Sequence, residues 1–124
     1  MTNLFEKASR LVADTLANCG VQGNADYIVW YKKQPTFAEN DVPNSAHELH
    51  ENYVRLAKVR AVNLDQIFEV MQGENWSPKG EAKEIISGLG LSHTSMSVGD
   101  IIQGLFQSKY WVVLTIGYGE LKLQ

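Results

Sequence analysis

The residue types of a nucleophile, a general base and an orienting acid fall together in the run HTSMSVGD, as His93, Ser95, Ser97 and Asp100. A histidine can take the proton of a serine hydroxyl while a carboxylate holds its ring, so a hydrolase or nuclease reading starts here, with His93, Ser95 and Asp100 as catalytic candidates. The spacing gives that reading little support, because no nucleophile elbow of the GxSxG type surrounds either serine. A plainer account covers the same residues: hydroxyls that cap chain ends, and a Gly99–Asp100 turn at the entrance to a strand. It is the preferred one.

Three further groupings are weighed in the same way. His47 and His50 stand three apart in AHELHE and could share a metal from one helical turn, but HExxH is absent and His93 is the one histidine left as a third ligand. A polar surface turn is the simpler reading. Lys32, Lys33, Arg55, Lys58 and Arg60 fall near Tyr27, Trp30, Tyr31 and Tyr53, the mixture of charge and stacking used by single-stranded nucleic acid binders. A net charge of −3 supplies no general attraction for a polyanion, so a solvated sheet face over core aromatics is favoured. Trp76 precedes Ser77 at a predicted helix start, where free backbone donors can receive an anion, although a hydrophobic staple would also place an apolar residue there. Trp76, His93, Thr94 and Ser95 are the residues expected to meet a partner. No phosphate loop or ligand set implies a cofactor.

The elements that must position these groups are legible from periodicity and punctuation. Leu4, Phe5, Ala8, Leu11, Val12 and Leu16 recur at helical spacing, predicting an amphipathic helix over residues 3–18. Residues 27–32 and 53–62 read as strands, separated by a long connection over 33–52 with one helical turn near Ala46–His50. Asn63 and Gln66 form a capping box for a helix ending near Gly73, and Ser77 with Pro78 predicts the start of a second helix that ends at Gly88 or Gly90. Strands are predicted over 96–103 and 110–118, the last apolar on both faces and so central. The expected fold is α+β: a mainly antiparallel sheet of about four strands, helices on one side, and an N-terminal amphipathic helix.

Composition sets the outer bounds. With 124 residues, 44% hydrophobic and 20% charged, the chain suits one domain with its own core. Cys19 is the single cysteine, no basic region leads into an apolar one at the N-terminus, and no apolar run approaches a membrane span, so a cytoplasmic protein without a membrane association is expected.

HTSMSVGDII resembles the signature of the YodL-like domain, found in small proteins of bacteriophages and other mobile elements, in which His, a hydroxyl, an apolar residue, Ser, Val, a small residue and Asp precede a terminal strand. YWVVLTIGYGEL is similar to that family's closing strand, and LDQIFEVMQGENWSPKGEAKEIISGLGL to the region before the signature. The resemblance covers about the last half of the chain and leaves residues 1–25 outside it, so the chain divides into an N-terminal helix and turn over 1–24 and a YodL-like core over 25–124. The long N-terminal helix and the residues Gly104 to Ser108 depart from the pattern. What the resemblance implies is origin and fold, with no catalytic role for any matched position. By analogy it implies a small acidic accessory factor that binds a host or defence protein. A hydrolase or nuclease and a single-stranded nucleic acid binder are the alternatives, and the N-terminal helix could serve a homo-oligomer.

Overall fold

Residues 25–32 bury side chains on both faces along most of their length, which requires a strand with neighbours on either side and layers above and below it. In the computed structural model, which describes residues 3–20, 22–38 and 40–123, that segment is strand β1 (Ala25–Lys32). Around it lie helix α1 (Leu4–Ala17), helix α2 (Ala46–Asn52), strand β2 (Tyr53–Ala61), helices α3 (Leu64–Val70), α4 (Gly73–Trp76) and α5 (Lys83–Gly88), and strands β3 (Ile101–Gly104), β4 (Lys109–Val113) and β5 (Tyr118–Leu121). The strands form one antiparallel sheet in the order β2-β1-β3-β4-β5. The fold is α+β, with five strands rather than about four.

Two hydrophobic clusters clamp the sheet. Tyr27, Val29 and Tyr31 of β1 meet Ala8, Val12, Ile67, Trp76 and Ile85 from α1, α3, α4 and α5. On the other face Ile28 and Trp30 pack with Leu49, Tyr53, Ile101 and Val112, so α2 alone among the helices contributes a buried side chain there. Between Val29 and Trp30 the β1–β2 register slips, leaving Leu56 opposite no partner and turning Tyr53 into the second cluster.

Local caps explain why the helices begin where they do. Asn3 accepts the Glu6 N–H at 2.7 Å, and Asn63 accepts the Gln66 N–H at 2.8 Å while the Gln66 side chain reaches back to the Val62 N–H. α1 lies along β2: Ser9 Oγ accepts the Lys58 N–H at 2.8 Å, which covers an edge that would otherwise be bare. The helix's Ala8, Val12 and Leu16 are thereby buried within the chain's own core, and Phe5 sits beneath the Arg55 guanidinium.

Three predicted boundaries change. Ser77 and Pro78 do not open the second helix; Gly80, at φ +80°, breaks the turn, and α5 starts at Lys83 after Ser77 Oγ has accepted the Ala82 N–H. The strand expected from residue 96 starts at Ile101, because Ser97 to Asp100 close a turn and Met96 donates its N–H to Met71 O. The strand expected over 110–118 is two strands, folded back at Thr115–Ile116 where Leu114 donates to Gly117 O. β4 is internal, as its two apolar faces predict, and β5 takes the edge.

Candidate functional site

Asp100, the last residue before β3, is 1% exposed, and its carboxylate accepts three hydrogen bonds. The Lys32 N–H reaches Oδ1 at 2.9 Å, the Ser97 N–H reaches Oδ2 at 2.8 Å, and His93 Nε2 lies 2.9 Å from Oδ2. A carboxylate already accepting two backbone donors takes a proton-bearing nitrogen as its third partner, so His93 presents Nε2–H. The imidazole lies flat on Tyr31, with centroids 4.6 Å apart and planes at 11°. Nδ1 is out of solvent and without a hydrogen-bond partner.

The surrounding hydroxyls are engaged elsewhere. Tyr31 OH donates to Thr94 O at 2.8 Å, and burial followed by the nearby Asp100 charge pushes its phenol well above the ordinary range. Tyr53 OH donates to Gly99 O at 2.8 Å, and burial, then Asp100 and Asp41, raise that phenol too. Ser95 Oγ accepts the Gly73 N–H at 2.7 Å, serving as the missing cap of α4 from a distant loop, and Ser97 Oγ donates to Ser95 O.

The structure therefore brings His93 and Asp100 together and leaves Ser95 out. A general base in this pair would act through Nδ1, yet among the described residues no hydroxyl stands within reach of that atom. What the geometry does is structural: one carboxylate ties the end of β1, the 97–100 turn and the loop at His93 into a single knot, with Tyr31 as its floor.

Trp76 is likewise a core residue. It is 1% exposed, its Nε1–H donates to Thr94 O at 3.1 Å, and it offers a partner no accessible face. The expected surface around Trp76 is corrected to a packing role, and Thr94 contributes mainly its carbonyl, shared by Tyr31 and Trp76. His47 pairs with Glu51 at 3.0 Å on the solvent side of α2 while His50 meets the Trp30 ring edge-on, so the two histidines have separate partners. No group of three or more potential ligands among the described residues could hold a metal ion.

The aromatics of the basic cluster are interior. Tyr27, Trp30, Tyr31 and Tyr53 are all 5% exposed or less, which removes the stacking platform a single strand would need. Four of the five cations have local partners: Arg60 with Asp26 at 3.3 Å, Lys33 with Glu51 O, Arg55 over Phe5, and Lys32 with Asp41 at 2.6 Å.

The last of these pairs organises the 33–52 connection, of which Glu39 lies outside the described residues. Lys32, 8% exposed, also donates to Asp41 O and lies 5.8 Å over the Tyr53 ring. Its ammonium, with the Thr36 hydroxyl, holds the Asp41 carboxyl below its usual value. A cavity of about 510 Å³ opens beside this pair, walled by Thr36, Val42, Pro43, Glu48 and Tyr53. The same connection carries Phe37, 60% exposed at φ +57°. Neither the Lys32–Asp41 pair nor the conformation of Phe37 has a signal in the sequence, whereas Gly117 after an apolar run could have revealed the turn that exposes Ile116. No helix among the described residues is long and apolar enough to cross a membrane. No protein-family model, curated protein or solved structure matches the chain.

Proposed function

We propose that this chain is a noncatalytic accessory protein of bacteriophage or mobile-element origin, as its likeness to the YodL-like signature implies, acting in the bacterial cytoplasm by binding a host or defence protein. The observation that carries the reading is Phe37. A bulky aromatic residue held at positive φ costs about 1–3 kcal/mol, and this one keeps its ring largely in water, so its own fold does not offset that cost. A partner that covers the ring would. β1 and β4 run parallel in the sheet, so the connection bearing Phe37 and the β4–β5 turn bearing Ile116, 90% exposed, leave from the same end. That end is the proposed contact surface. The alternative, a hydrolase or nuclease working through His93 and Asp100, has the 2.9 Å pair in its favour and lacks a hydroxyl within reach of Nδ1.

The test separates strain from binding. Phe37→Gly relieves the backbone and should raise the unfolding free energy by about 1 kcal/mol, while Phe37→Gly with Ile116→Ser should lower capture of the partner from host lysate at least tenfold. Undiminished capture by a folded double variant rejects the surface. Loss of stability in Phe37→Gly rejects the argument from strain.

A further inference from the structure

The two outer edges of the sheet are treated differently. α1 covers β2 through the Ser9–Lys58 hydrogen bond, but among the described residues no element pairs with the outer side of β5. That edge reads Tyr118-Gly119-Glu120-Leu121-Lys122-Leu123, with no proline to block it and two charges of opposite sign two residues apart.

Its hydrogen-bonding phase follows from the neighbouring strand. Leu114 donates to Gly117 O, whereas Val113 turns both its polar groups toward β3, donating to Asp100 O and accepting from Gly99. Bonded and non-bonded pairs alternate along an antiparallel ladder, so Gly119 and Leu121 face β4 while Tyr118 and Glu120 point N–H and C=O outward, and continuing the strand past its end at Leu121 would turn Lys122 outward in the same phase. The side chains divide in the same way. Leu121 and Leu123 join Tyr110 and Leu114 as half-buried members of the second hydrophobic cluster, while Glu120 lies on the opposite face, 3.4 Å from Lys109.

We propose that a second copy of this chain pairs with β5 across a two-fold axis through Leu121, joining the two sheets edge to edge. Outward-facing residues must pair with outward-facing residues, which leaves registers centred on residue 119, 120, 121 or 122, and centring on 119 pairs Tyr118 with Glu120 and brings no opposite charges together. Centring on residue 120 sets Glu120 against Glu120, and centring on 122 sets Lys122 against Lys122. Both oppose like charges. Centring on 121 pairs Glu120 with Lys122 twice, brings Leu121 against its own copy at the close non-hydrogen-bonded spacing, and lays Leu123 over Gly119, beside the Leu114 and Val112 side chains that flank it. The apolar stripe of Tyr110, Leu114, Leu121 and Leu123 then continues across the axis. Among these registers only this one sets opposite charges against each other, the self-complementarity that a symmetric interface requires. It uses the opposite edge of the sheet from the N-terminal helix.

Sedimentation velocity across a concentration series of the full chain should show a reversible dimer. Lys122→Glu, which leaves the Lys109–Glu120 pair intact, should weaken it about tenfold, as should Glu120→Lys. The double charge swap should restore the affinity to within about threefold of the starting protein, with thermal unfolding confirming that every variant is folded. Independently, Leu121→Cys with Cys19→Ser should form a disulfide-linked dimer on mild oxidation, since the opposed Cα atoms of that register lie within disulfide range. A chain that stays monomeric at about 1 mM, a dimer indifferent to both single charge reversals, or a Leu121→Cys variant that does not cross-link overturns the proposal.

Discussion

Asp100 and His93 are adjacent in the knot but unequal in it. The carboxylate, 1% exposed, collects two backbone donors and the imidazole, so Asp100→Ala leaves several donors without an acceptor. Its expected cost is about 3 kcal/mol in urea unfolding at neutral pH. His93→Ala leaves the carboxylate two of its three partners and removes an Nδ1 that has none, so about 1–2 kcal/mol is expected. The reverse order would make the histidine the centre of the arrangement. The residue types of this pair were legible in HTSMSVGD, but their roles were not. A triad and a structural knot use the same side chains, and which one forms depends on whether a hydroxyl or a backbone N–H stands beside them. Here Lys32 and Ser97 supply N–H groups, and Ser95 is turned to Gly73.

At the level of elements, helix starts were readable because caps are local. Asn3 and Asn63 each bond a donor three residues on, a relation contained in the sequence itself. The 77–83 segment departs from its expected helix for a related reason: Ser77–Pro78 is a sound helix start, but Gly80 two residues later takes a left-handed conformation and delays the helix to Lys83. Close approach sets another element boundary. A Cβ at Gly23 would lie 2.5 Å from the backbone of Arg60 and Ala61, where no flexible side chain can yield, so the chain entering β1 must pass there without one. Gly23→Ala should therefore cost about 2 kcal/mol or more by thermal or urea unfolding, and a neutral substitution would mean that the α1–β1 connection can move away from β2.

For the whole molecule, three phenols raised above their ordinary value predict an alkaline limit of stability. Tyr31, Tyr53 and Tyr118 are all raised above 10.0, the first two chiefly by burial and then by Asp100, Tyr118 by burial and its hydrogen bond to Asp65. A group whose folded value is raised contributes stability that is complete below its unfolded value and is lost as pH rises toward the folded one. The urea midpoint should be level from about pH 7 to 9 and fall above about pH 10, with a shallower fall in Tyr31→Phe than in the parent chain. An unchanged slope in that variant would show that folding leaves the proton affinity of the Tyr31 phenol unaltered. Tyr31 joins the main core to the loop at Thr94, and Tyr53 joins the second cluster to Gly99, so their ionisation would act on both faces of the sheet.

By itself the sequence determined the α+β class, the amphipathic N-terminal helix, the capping box at Asn63 and the apolar faces of β1 and β4, because each follows from residues within a few positions of one another. Only the tertiary structure decided that Trp76 is core, that His93 rests on Tyr31 with its base nitrogen enclosed, that Lys32 and Asp41 brace the 33–52 connection, and that β5 is left as the free edge. Most of these outcomes rest on partners brought together from distant parts of the chain, where no local period or cap can record them, and the nearer Lys32–Asp41 pair forms only once the irregular connection between them has folded back.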